Sequence, residues 1–180
     1  MKVAVIRHAE VDFCWQKGYT SDGFDMDCCR YDSAPIREMM YSIPQVRCEK
    51  IYISELSRSQ NTAKKLFPDG EFIKSELINE VPLKSSFDTK NKMPLWFWNV
   101  SGRLQWLINN SRQIEGREQT IERANRFITM ICNDNKDCAV VTHGFFMHTL
   151  LQEMKKVGFI INSASVKYKN GECIMAEIEK

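Results

Sequence analysis

Lys2-Val3-Ala4-Val5-Ile6-Arg7-His8-Ala9-Glu10 opens the chain with five residues that read as a strand and four that leave it for a polar loop. A short, β-branched, apolar run of this kind is expected of a strand covered on both faces. The pattern recurs late in the chain, in Cys138-Ala139-Val140-Val141-Thr142-His143-Gly144. In both segments a histidine stands where the strand gives way to its loop. A third run, Ile51-Tyr52-Ile53-Ser54, is followed four residues later by Arg58. Ligands of open α/β sheets bind at the carboxyl edge of the strands. If these three strands are neighbours, that edge gathers Arg7, His8, Arg58 and His143 into one pocket.

The segments between alternate in type. Residues 57–67 read as a helix stopped by Pro68 and Gly70, and residues 71–73 as another strand. Residues 93–110 are rich in aromatics and read as a helix. Residues 119–132 carry Ile121, Ala124, Phe127, Ile128 and Ile131 at helical spacing, and residues 145–156 follow as a further helix. Residues 9–32 read as a long surface loop. Asp32-Ser33 and Pro35 read as the opening of a helix through about Tyr41. Residues 165–168 and 173–178 read as an antiparallel pair turning at Asn170-Gly171. The expected fold class is α/β: a three-layer α/β/α sandwich with a mostly parallel central sheet and right-handed crossovers. One domain is expected over residues 1–180, with a helical, aromatic-rich insertion at about 82–112.

Composition agrees with that picture. The chain has 180 residues, 43% of them hydrophobic, with 25 Lys+Arg against 23 Asp+Glu. This excludes intrinsic disorder, and a net charge of +2 does not advertise a nucleic-acid or membrane partner. No apolar run approaches the roughly 18 residues of a membrane span. Arg7 and His8 come too early for the apolar part of a signal peptide. The seven cysteines include no C-x-x-C pair and read as reduced thiols of a cytoplasmic protein, without a structural zinc site. Asp25 and Asp27 could suggest a metal but read as solvated acids of a polar loop, and His143 and His148 lack the H-E-x-x-H pattern.

Two arginines and two histidines at one sheet edge suit a dianion, because guanidinium forks match phosphate oxygens. The helix opening at Gly144 would add backbone N–H groups and the positive end of its dipole. Flanking cations disfavour an imidazolium and so keep an imidazole nucleophilic. Other phosphate chemistries lack their motifs: no cysteine is followed six places on by arginine, and no P-loop or serine elbow occurs.

Three motifs carry a resemblance. Arg7-His8-Ala9-Glu10, then Ser54-Glu55-Leu56-Ser57-Arg58-Ser59-Gln60-Asn61-Thr62-Ala63, then Thr142-His143-Gly144 resemble R-H-G, S-x-L-x-R-x-x-x-T-A and the late H-G of the histidine phosphatase (phosphoglycerate mutase-like) superfamily, over about residues 1–157. The resemblance implies that His8 is the nucleophile and forms a phosphohistidine. Arg7, Arg58 and His143 would clamp the phosphoryl oxygens, with Gly144 opening the phosphate-facing helix. Glu80, in Leu77-Ile78-Asn79-Glu80, would be the general acid, with Glu76 a nearby competitor. No metal or cofactor is implied, and the partner is a small phosphorylated substrate. The oligomeric state is left open.

The chain departs from the family pattern at Ala9 (usually Gly), Val11 (usually Thr or Ser) and Cys14 (often Asn). Three readings therefore stand beside one another: a metal-independent phosphatase, a phosphomutase, and a catalytically weak phosphate-binding regulatory domain. The short chain offers little material to enclose a phosphohistidine, which favours hydrolysis. Trp96, Phe97, Trp98 and Trp106 either pack the interior or roof the pocket.

Overall fold

The computed structural model describes residues 1–38, 48–161 and 166–179. In chain order the elements are β1 (Lys2–Arg7), β2 (Gly18–Tyr19), α1 (Ser21–Ser33), β3 (Lys50–Ile53), α2 (Ser57–Leu66), β4 (Phe72–Lys74), β5 (Met93–Pro94), α3 (Leu95–Leu107), α4 (Arg117–Asp134), β6 (Cys138–Thr142), α5 (Gly144–Val157), β7 (Ile160–Ile161) and β8 (Cys173–Glu177), with a 3-10 turn at Glu76–Ile78.

The central sheet has the order β4-β3-β6-β1-β8-β7. β4, β3, β6 and β1 run parallel, and β8 closes antiparallel on β1 and β7. Alternation along β1 explains the two helical layers. Val3 and Val5 face the side packed by Ala124, Phe127 and Ile128 of α4 and by Phe146 and Leu150 of α5. Ala4 and Ile6 face the other side, where Ala63 of α2 joins Ile51, Ile53, Ala139 and Val141. Both faces are covered, so the strands read as unbroken apolar runs. β6 lies between β1 and β3, pairing Ile6 and Ile53 with the same Val141. That adjacency brings the three strand ends together.

Three expectations are corrected. Residues 9–32 are not loop throughout: Ser21–Ser33 form α1, capped by the Thr20 hydroxyl, which accepts from the Gly23 amide. The helix expected to open at Asp32-Ser33 is therefore the end of one, and the rest of that span, from residue 39, lies outside the described residues. Pro35 fits this ending, since the residue before a proline is pushed out of helical geometry. The partner of β8 is not 166–168, which is irregular, but β7 and β1; residue 165 lies outside the described residues. The turn itself sits at Asn170-Gly171, with Gly171 at φ +74°.

α3 presents three different faces. Trp98, Gly102 and Trp106, spaced by four, are buried. Trp98 stacks on Phe24 and donates from Nε1 to the Tyr19 carbonyl, while Trp106 donates to Thr120 Oγ1. Gly102 has no room for a side chain: a Cβ would lie 2.6 Å from Leu83 Cδ1. That close approach docks the helix onto residues 83–84. Among the described residues, no helix is long and apolar enough to cross a membrane.

Candidate active site

The site forms where β1, β3 and β6 end. His8 leaves β1 with its amide donating to the Thr142 carbonyl at 2.9 Å. Its Nδ1 lies 2.6 Å from the Ala9 carbonyl. A carbonyl only accepts, so Nδ1 carries the proton and the lone pair is left on Nε2. The ring is buried, and burial is the main reason that its pKa is pushed down to about 3, with Arg58 and Arg7 adding to it. The neutral imidazole expected from the flanking cations is thus secured first by desolvation and only then by charge.

His143 begins α5 and is fully buried, 5.0 Å from His8 between ring centroids. Arg58 Nε donates to its Nδ1 at 3.1 Å. Nε2 therefore bears the proton and donates to Ser54 Oγ at 2.7 Å, and Ser54 donates on to Asn79 Oδ1 at 2.8 Å. This one-way chain fixes the tautomer of His143 and the aim of Arg58 together. Burial again dominates in holding the His143 pKa well below the ordinary histidine value, with Arg58 second.

The middle motif folds into a clamp. Ser59 Oγ donates to the Val141 carbonyl and accepts from the Ser54 amide. Thr62 Oγ1 accepts from the Ala9 amide at 2.9 Å and back-bonds to the Arg58 carbonyl. One face of α2 thereby ties the Arg7-His8 loop to the Arg58 turn. Ala63, wholly buried, packs against the sheet below. Ala9 fits this loop without strain, since it is not among the residues of positive φ. Asn170 Nδ2 donates to the His8 and Ala9 carbonyls from the other side. Val11 pairs with Ile36, and Cys14 is exposed and away from the cleft.

Arg7 donates from Nη1 to the Tyr168 carbonyl, while its Nε is buried without a partner among the described residues. Gly144 is what admits this guanidinium: a Cβ there would meet Arg7 Nε at 2.8 Å and Cζ at 2.9 Å. Two of the first amides of α5, those of Phe145 and Phe146, are already used. Phe146 N donates to Glu80 Oε1 at 2.9 Å, and Phe145 N lies 3.4 Å from Oε2. Glu80 thus sits at the head of α5, its carboxyl group held by the amides of Phe145 and Phe146. Arg123, through the Leu77 and Asn79 carbonyls, and Thr142, through the Ile78 carbonyl, anchor its segment.

A cleft of about 1010 Å³ opens over this edge. Arg7, Arg58, Glu76 and Glu80 line it, and the two imidazoles are buried next to Arg58 and Arg7. Asp32 and Tyr31, from the end of α1, stand in front: Asp32 Oδ1 accepts from Arg58 Nη1 at 2.7 Å, and the Tyr31 ring faces Arg58 at 5.1 Å. Sequence reasoning missed both residues because it read α1 as loop. Of the aromatic cluster in α3, Trp96, Phe97, Trp98 and Trp106 are all absent from the cleft wall. Leu95, Asn99 and Arg103, spaced by four, supply that helix's face instead. Among the described residues no group of three or more His, Cys, Asp or Glu is placed to hold a metal ion.

The architecture has close parallels. The chain superposes on phosphoglycerate mutase from Bacillus anthracis with a TM-score of 0.59 at 14% identity, covering 97% of this chain and 86% of that one. For the alpha-ribazole phosphatase of Shigella flexneri the score is 0.53 at 18% identity, covering 86% and 79%. For a phosphoserine phosphatase of Entamoeba histolytica, bound to 3-phosphoglyceric acid, it is 0.51 at 18% identity, covering 86% and 80%. These likenesses establish a shared fold. No curated protein sequence matches the chain. The sequence pattern of the histidine phosphatase superfamily (branch 1) matches residues 3–160, a span that holds Arg7, His8, Arg58, Glu80 and His143. The chain belongs to the histidine phosphatase superfamily.

Proposed function

We propose that the protein is a metal-independent phosphatase that hydrolyses a phosphate monoester through a phosphohistidine on His8. The observation that carries this reading is the state of that ring: neutral, with Nδ1–H committed to the Ala9 carbonyl and the Nε2 lone pair without a partner among the described residues. Nε2 attacks phosphorus while the bond to the leaving oxygen breaks, and its electron pair departs with that oxygen. Glu80 is the general acid that protonates the leaving oxygen; it then takes a proton from the water whose oxygen attacks phosphorus as the P–Nε2 bond breaks and its electron pair returns to His8. Arg58, the orphaned Nε of Arg7 and the adjacent His143 surround the phosphoryl oxygens as charge redistributes. Gly144 belongs to the phosphate-binding set by making room for Arg7. Glu76 lines the same cleft from the 3-10 turn, without Glu80's bond to α5.

Hydrolysis is favoured over return of the phosphoryl group to substrate. The cleft far exceeds a small leaving group, and a water needs only roughly 30 Å³. The substrate is a small phosphorylated molecule, and a cytoplasmic setting belongs to the same reading, since free thiols persist where the medium is reducing. The test is hydrolysis of an aryl phosphate in excess EDTA by wild type and His8→Ala. Turnover that survives chelation and drops by about 10⁴-fold or more in the variant is expected. Equal turnover in the two would refute the mechanism.

A further inference from the structure

The phosphoryl end of the cleft says nothing by itself about what the phosphate is attached to. The wall beside it does. Tyr31 stands at the junction of the two. Its ring lies over the Arg58 guanidinium, and burial raises the pKa of its phenol, on which the charges of Arg58, Arg7, Glu80 and Asp32 also act. A ring within reach of the clamp and of Glu80 together borders the place where the leaving oxygen and its first substituent atoms must lie. Trp15 extends this wall beside Tyr31, 5.3 Å away between centroids and tilted by 36°, and packs in turn against Tyr19 and Phe24. Phe13 meets both rings edge-on, at 4.9 and 5.8 Å, and fixes them from the side. Trp15 and Tyr31 are only half-buried, and both line the cleft. The cleft is further lined by Pro82, Leu83 and Leu95, an apolar set from residues 82–83 and the start of α3.

We propose that the leaving group of the substrate is a flat, aromatic one, seated on the Trp15–Tyr31 wall with its phosphate in the Arg7–Arg58 clamp. The proposal rests on the phosphatase reading above and names the substrate class for that same site. Rings held in advance by Phe13 cost little ordering on binding, and offset stacking on them rewards a planar group over a puckered one of equal size.

Binding of three phosphonates, measured by calorimetry, separates the terms: methylphosphonate, cyclohexylphosphonate and phenylphosphonate carry the same head group and cannot be hydrolysed. Wild type is expected to bind phenylphosphonate about three- to ten-fold more tightly than cyclohexylphosphonate. Trp15→Leu, which keeps apolar bulk but removes the flat ring, is expected to abolish that ratio, and Tyr31→Phe to retain it. Equal affinity for phenyl and cyclohexyl in wild type would overturn the proposal, as would a ratio unchanged in Trp15→Leu. Equal affinities that inorganic phosphate still competes away would leave the phosphoryl site standing while removing the aromatic wall. Failure of all three phosphonates to bind would remove both.

Discussion

The two ends of the cleft are built on different terms. At the phosphoryl end Arg7 closes β1, His8 and His143 follow directly on β1 and β6, and Arg58 lies in the first turn of α2 just beyond β3; each is held by bonds to its neighbours. At the leaving-group end the wall comes from α1, residues 79–84 and α3, elements outside the central sheet that meet through side chains and through the short β2–β5 pair leading into the two helices. Chemistry is held where backbone pairing fixes position to within a hydrogen bond. On the proposed reading, selectivity is held where packing can be changed without breaking the central sheet.

If this contrast is right, variants at the phosphoryl end act on rate and fold, and those at the other end act on preference. Arg58→Ala should have the largest effect here, lowering kcat/KM by on the order of 10³-fold, because it removes a charged fork and also the partner that orients His143. Arg58→Lys should recover little of it, since a point charge cannot serve Asp32 and His143 at once. Steady-state kinetics check both.

Gly144→Val should come next. Its side chain collides with the Arg7 guanidinium, and thermal or urea denaturation should register a loss of about 1–3 kcal/mol with activity falling alongside. A well-folded, active Gly144→Val protein would show that Arg7 is not confined as described.

The buried histidines make stability depend on pH. His8 titrates near 3 in the fold against about 6.5 unfolded, so between those values the unfolded chain binds the extra proton. Stability should therefore be complete above about pH 6.5 and decline as pH falls toward 3. His8→Gln should flatten part of that slope in denaturation series at stepped pH, with His143 supplying the remainder. A slope unaltered by His8→Gln would mean that the ring is more solvated than its burial indicates.

The smallest effect tests the boundary between the two regions. Asp32 holds Arg58 Nη1, a donor that a phosphoryl oxygen must share or take over, and its own side chain is half exposed. Asp32→Ala should thus tighten inorganic phosphate as a competitive inhibitor by about two- to five-fold, the scale of a partly exposed ion pair. Weaker inhibition would show that Asp32 instead steadies Arg58 for binding.

Legibility in the sequence divides along the same line. The strand ends could be read because a doubly covered strand is a continuous apolar run, and a histidine or arginine at its end breaks the pattern visibly. The parallel order followed from alternation of strands and helices. The hydroxyls of Ser54, Ser59 and Thr62 were visible as a motif, but their bonds to Asn79, Val141 and Ala9 depend on partners remote in sequence. α1 was hidden because Ser21–Ser33 carries Gly23, two cysteines and four aspartates, with no apolar stripe, and is held mainly by Phe24 and the Thr20 cap. Tyr31 and Asp32 were lost with it. The aromatic content of α3 drew attention to that helix for a wall that Trp15 and Tyr31 supply instead.

The central claim is a covalent one, and trapping tests it most directly. Wild-type protein mixed with an aryl phosphate in EDTA and quenched rapidly in alkali, where phosphohistidine survives, can be digested and the phosphoryl group mapped by mass spectrometry. The account predicts one phosphorylated peptide, modified at His8. A phosphoryl group on any other residue, or sustained turnover with none bound to the protein, would contradict it.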